Sequence, residues 1–177
     1  MSDNRRTDNA QVHDGETGET GYPRRVILDG SLAAERRATG IAERYWRAVG
    51  GEAGVPSLND IDMEQTSSIW SDRFLIRRDH DIAQSVFIVC GLRARRAIGL
   101  PALGRCLGEV LPSSIAEEIY QACDMATRDA RPEHLQGVFT SQDGRRLLFR
   151  GVFMPLRALS NDLGYIFGAF SARRQSA

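Results

Sequence analysis

Between residues 133 and 173 three apolar runs follow one another around a tight turn and a short loop, which restricts the chain to folds that close on an antiparallel meander. The runs are Leu135 to Thr140, Arg146 to Leu156 and Gly164 to Ala172. Asp143-Gly144, between the first two, supplies the positive-φ residues that a hairpin turn requires. Such a sheet needs an apolar face covered, so the upstream segments must contain its cover. In many small α+β domains a sheet placed after helices serves as a binding scaffold.

Upstream, residues Ser31 to Gly50 read as a helix in which Ile41, Tyr45 and Val49 recur every fourth position with Trp46 alongside, until Gly50-Gly51 stops it. Pro56 opens a connecting segment, and Ile61, Met63, Ile69 and Trp70 predict a short helix or turn leading to the first strand, Phe74 to Arg77. A polar turn at Asp79-His80-Asp81 precedes a second strand, Ser85 to Gly91. That strand is apolar on both faces through Val86, Phe87, Ile88 and Val89, so each side needs cover, and the amphipathic first helix is the candidate for one.

Pro101 suits the first turn of a short helix with Leu103, Leu107, Val110 and Leu111 as its buried stripe, ended by Pro112. Ser114 and Glu117 have capping-box spacing at the head of a longer helix lined by Ile115, Ile119, Ala122 and Ala126, which Arg131-Pro132 breaks. Residues 1–30 read as a polar, flexible tail with a brief apolar arm at Val26-Ile27-Leu28, residues 31–173 as one domain and residues 174–177 as a C-terminal tail.

Composition narrows the function. With 177 residues and 42% hydrophobic content the chain can bury one substantial core. Lys plus Arg equals Asp plus Glu at 23 each, so no global field concentrates a polyanion, and nonspecific nucleic-acid binding is not expected. Every basic residue is Arg, spread along the whole chain as in a GC-rich coding sequence. Cys90, Cys106 and Cys123 form no CxxC pair, the usage of a reducing cytosol. No apolar run approaches the roughly 18 residues that a membrane span needs, so a cytoplasmic location is expected.

The order of helix, two strands, helices and three strands resembles a PAS domain, in detail the alphaproteobacterial PAS-like family known as PAS_5. Three patches carry the likeness: Tyr45-Trp46 with Pro56 and Asp60-Ile61-Asp62; Gly91, Gly99 and Gly104 leading to Leu107–Leu111 and Pro112; and Asp143-Gly144, Met154-Pro155-Leu156 and Gly164 to Ala169. It covers residues from about 40 to 173. One departure stands in the first hairpin, where Arg77-Arg78 and Phe87-Ile88 replace an Asp and a Tyr-Arg pair, so no polar contact from that strand is carried over.

The resemblance implies an α+β fold: a PAS-like five-stranded antiparallel sheet with central helices on one face and an N-terminal amphipathic helix outside or against a second subunit. It also implies a small cavity on the concave face, with a role in sensing small ligands, cofactors or partners. Strand alternation and helix faces nominate Phe87, Val89, Leu103, Leu107, Ile119, Val138, Leu148 and Ile166 as pocket residues. Ile41, Tyr45, Trp46 and Val49 could serve a homodimer, although Trp46 could equally bury itself within its own chain.

Arg150 alternates in phase with Leu148, Val152 and Met154, so it shares a face with apolar residues. On the concave face it would bind the polar end of a ligand; on the convex face it would pair with an acid of the first helix such as Glu43. Arg93, Arg95 and Arg96 with Arg145, Arg146 and Arg150 could form an anion-reading patch, against which stands a solvated turn and strand face.

Catalysis finds little support. His13, His80 and His134 have no HxxxH or HxxE spacing, no Ser sits in GxSxG, and no glycine loop resembles a phosphate cradle. Cys106 stands where light-sensing relatives carry a flavin-reactive cysteine, but Leu107-Gly108-Glu109 follow it in place of the ring-holding polar residues, so no flavin is expected. The helix Ile115 to Arg128 has no His, so no haem is expected either. With no kinase, cyclase or DNA-binding element legible, the expected role is a stand-alone sensory or regulatory module binding a small molecule or protein partner as a homodimer. The alternative is a small α+β enzyme, an isomerase or hydrolase, with its cleft over the sheet.

Overall fold

The computed structural model describes residues 33–50, 54–61, 70–141, 143–160 and 162–175. The tail, its Val26–Leu28 arm and the turn expected around Met63 and Ile69 lie outside them. Five strands, β1 (Arg73–Arg77), β2 (Val86–Cys90), β3 (Glu133–Thr140), β4 (Arg146–Leu156) and β5 (Tyr165–Arg174), form one antiparallel sheet in the order β2-β1-β5-β4-β3. Among the described residues four α-helices accompany it: α1 (Ala33–Gly50), α2 (Leu92–Ile98), α3 (Leu107–Val110) and α4 (Ser113–Asp129). The last strand in sequence thus lies between β1 and β4, which makes a sheet of five out of a hairpin and a meander.

Both faces of the central strands are covered, because β1, β4 and β5 each alternate two apolar sets; β3 turns His134, Gln136 and Thr140 outward, and Ile88 of β2, expected to be covered, is 40% exposed. One set, including Phe74, Ile76, Phe87, Phe149, Phe153, Ile166 and Phe170, packs under α2, α3 and α4 through Ile98, Leu107, Ile115 and Ile119. The other set, Leu75, Val152, Met154, Leu156, Phe167 and Ala169, packs with Ala42 and Trp46 of α1 and with Trp70. The first helix is therefore the cover for the outer face, as its amphipathic spacing requires. Pro155, with no N–H to donate, falls beyond the last β3–β4 pair, Glu133↔Phe153, where β4 has lost one neighbour. There its carbonyl accepts a hydrogen bond from Trp46 Nε1 at 2.8 Å, fastening α1 to the sheet edge.

Three local expectations are corrected. Residues 92–98 form a helix rather than a solvated turn: Ala94 and Ile98 bury one side, and Gly99, at φ 82°, ends it in the left-handed region. Pro101 opens no helix, since Leu107–Val110 is a separate single turn, and Leu103 is 38% exposed rather than part of a buried stripe. α4 has no capping box: Pro112 stands at its N-cap without a side-chain bond, and Ser114 Oγ instead donates to the Thr140 carbonyl at 2.7 Å, tying α4 to β3.

Candidate functional site

The space between the sheet and α2–α4 is filled by aromatic rings. Phe149 stacks on Phe170 with centroids 5.3 Å apart, Phe139 meets Phe149 edge-on at 5.5 Å, and Phe74 touches Phe87 and Phe153 at 5.7 and 5.3 Å. Of the nominated pocket residues, Phe87, Leu107, Ile119 and Ile166 belong to this packed inner cluster. Val89 packs with the outer cluster, and Leu103 stands at the surface. Val138 and Leu148 are cross-strand partners in phase with Arg150, on the outer side. The nominated residues are thus divided between two faces and do not converge on one cavity.

On the outer face the helix is held by a buried cation. Arg73 is 1% exposed, and its guanidinium carbon lies 5.3 Å from the Tyr45 ring, 5.6 Å from Phe167 and 6.0 Å from Trp70. Its Nε and Nη1 are buried with no hydrogen-bond partner among the described residues, and burial lowers its pKa, opposed in part by Tyr45. Phe167 also meets Tyr45 and Trp70 edge-on, at 6.1 and 5.6 Å. Arg73 is a residue that sequence reasoning passed over; the available signal was its alternation in phase with buried Leu75. Tyr45, Trp46 and Val49 all face their own sheet, while Ile41 remains partly exposed.

Two clefts lined by described residues open beside these clusters. The larger, about 520 Å³, runs along the seam between α1 and the β3–β4 pair, where Thr39 of α1 faces Arg131, His134, Gln136 and Arg150. Arg150 lies on the α1 side of the sheet and half-buried, which answers which face it occupies. Glu43, the acid envisaged for it, instead contacts His134 Nε2 at 3.1 Å and Arg47 at 2.7 Å. Arg131, Arg150 and Gln136 bring cationic and amide donors to this seam, Thr39 a hydroxyl and Glu133 a carboxylate.

The smaller cleft collects arginines. Of the anticipated patch it brings together Arg93, Arg96 and Arg145, whereas Arg95 turns back to donate to the Leu100 and Pro101 carbonyls at 3.2 and 2.6 Å. Arg173 and Arg174, which sequence reasoning left out, complete it.

The cysteines differ in environment. Burial pushes the Cys90 thiol up to about 12, against the pull of Arg95, and raises Cys123 further. Cys106, at the N-cap of α3, is half-buried with its Sγ 3.5 Å from Gln84 Oε1. Among the described residues no three His, Cys, Asp or Glu side chains gather as metal ligands would, and no helix is long and apolar enough to cross a membrane.

The family model PAS_5, described as a PAS domain, matches residues 34–171. No curated protein matches the chain. Similar solved structures include the ligand–DNA complex of VqmA from Vibrio cholera, 18% identical with a TM-score of 0.48, covering 64% of this chain and 52% of that one. The chain thus spans about half the length of that VqmA chain. The PAS-B domain of Drosophila melanogaster Cycle with bound glycerol is 17% identical, with a TM-score of 0.41, and covers 56% of this chain and 99% of that one. The PAS domain of the fruit-fly ELK potassium channel is 11% identical, with a TM-score of 0.46, and covers 63% and 93%.

Proposed function

The chain belongs to the PAS_5 family of PAS domains, and we propose that it is a sensory or regulatory module whose small molecule or protein partner engages the seam between α1 and the sheet. PAS domains are typically sensory or regulatory rather than catalytic, and we read this one as non-catalytic. The observation that carries the proposal is the 520 Å³ cleft in which Thr39 of α1 and Arg150 of β4 line one space. A ligand there touches both the helix and the sheet. It shifts their relative position by as much as its affinity differs between the docked and displaced states of α1.

The filled inner face supports a seam site over a concave one, since a ligand among Phe139, Phe149 and Phe170 would have to displace close-packed rings. Arg150 is the nominated ligand residue that this reading retains. A homodimer is part of the proposal, with Ile41 as the α1 residue left to meet a second copy once Tyr45, Trp46 and Val49 have packed on their own sheet. Native mass spectrometry of the freshly purified protein tests the seam. A molecule retained by the wild type and lost from Arg150→Ala is expected; equal retention by both would overturn the assignment. Sedimentation velocity of the wild type and Ile41→Glu tests the dimer, which a wild type that stays monomeric at high concentration would exclude.

A further inference from the structure

The arginine cleft lies apart from the seam, at the far end of β5. β1 pairs with β5 only as far as Arg73↔Ala169, whereas β5 runs on to Arg174, paired there with β4 alone. Beyond the end of β1 a cleft of about 310 Å³ opens between β5, α2 and the β3–β4 turn. Arg93 and Arg96 enter it from α2, Arg145 from the turn, and Arg173 and Arg174 from β5. Three segments distant in sequence therefore bring five arginines to the walls of one concavity.

Arg173 has an interaction of its own, and the carboxylates there do not balance the other four. Asp72 is the acid among the lining residues and is engaged by Arg93 at 2.8 Å, while Arg145 pairs with Asp143 of its own turn. Arg96 and Arg174 meet no carboxylate among the described residues. In a chain whose acids and bases cancel at 23 each, this local excess is not the by-product of a basic protein. Like charges in a concave wall focus a positive potential and raise the local concentration of anions. The planar guanidinium fork pairs bidentately with phosphate or carboxylate, which an ammonium cannot do.

We propose that this cleft is a binding site for a small polyanion, a molecule carrying at least two phosphate or carboxylate groups. Its volume suits a compact ligand rather than a nucleic-acid duplex. The inference rests on the cleft alone and stands whether or not a ligand occupies the seam.

Isothermal titration of the full chain with pyrophosphate, citrate and acetate tests it, in wild type, in the double variant Arg96→Gln/Arg174→Gln and in Arg77→Gln, an exposed arginine of β1 outside the cleft. Pyrophosphate or citrate should bind with an affinity that falls as salt rises, and acetate should not. The double variant should lose about tenfold or more in affinity, as expected when charge-assisted bonds are removed, and Arg77→Gln should match wild type. Pyrophosphate against citrate tells whether phosphate or carboxylate is preferred. Both replaced side chains are exposed, and circular dichroism checks that the fold persists. Absence of binding by either polyanion at low salt, an equal loss in Arg77→Gln, or binding of an oligonucleotide alone would overturn the proposal.

Discussion

Replacing Arg73 by methionine should leave the protein as stable as wild type or slightly more so, while alanine at the same position should cost about 3 kcal/mol. The reasoning sets two opposed quantities against each other. Three rings approach the guanidinium at 5.3, 5.6 and 6.0 Å, and at about 0.5 to 2 kcal/mol each they stabilise the cation by roughly 1.5 to 6 kcal/mol. Against this, a charge buried to 1% exposure with Nε and Nη1 unbonded among the described residues carries a desolvation cost of several kcal/mol. Methionine keeps an unbranched apolar stem among the rings and removes that cost, whereas alanine leaves a cavity between α1 and the sheet. Urea unfolding followed by tryptophan fluorescence is a direct assay, because Trp46 and Trp70 both belong to the affected cluster. In a chain of this size each kcal/mol moves Tm by about 2 to 4 °C. A loss of more than about 1 kcal/mol in Arg73→Met would refute the reasoning, because the ring contacts would then outweigh the burial of the charge.

Other consequences concern single residues. Gly91 has an ordinary extended backbone, but a Cβ there would lie 1.6 Å from the Trp70 carbonyl oxygen and 2.6 Å from that of Ser71; Gly91→Ala should therefore cost about 3 kcal/mol or more by urea unfolding, and a neutral result would mean that the 70–72 turn is free to move. Iodoacetamide at mildly alkaline pH should modify Cys106 first in the native protein, since Cys90 and Cys123 stay protonated there, with intact mass and peptide mapping as the readout. Side-chain bonds from Arg145 and Ser141 hold the Asp143 carboxyl at about 2. Its folded value lies below its unfolded one, so its stabilising effect is present above the ordinary carboxylate range and is lost as pH falls through about 2; an NMR titration midpoint near the ordinary value of about 4 would contradict this.

Much of the architecture was legible because strand alternation is a local signal. Arg146–Leu156 was bounded by its apolar run and its Asp143-Gly144 turn, and the helix lined by Ile115, Ile119, Ala122 and Ala126 buries that stripe. α2 was hidden because it is short and its surface is arginine, with only Ala94 and Ile98 buried; tertiary contact with β5 and the 70–72 turn makes it a helix. Alternation also grouped Arg150 correctly with Val152 and Met154, yet it cannot say which of two apolar faces meets which helix. That is why the nominated pocket residues divided between faces. The arginine cleft and the Arg73 cage were illegible for the same reason: each joins segments that only the finished sheet brings together.

The central claim is that α1 covers the outer face of its own sheet, fastened by Trp46 on Pro155 and by Arg73 among its rings. Hydrogen exchange of the α1 amides over residues 39–50, at low and high protein concentration, tests it most directly. Strong protection that does not change with concentration is predicted. An α1 that exchanges freely when dilute and becomes protected only as copies associate would contradict the account.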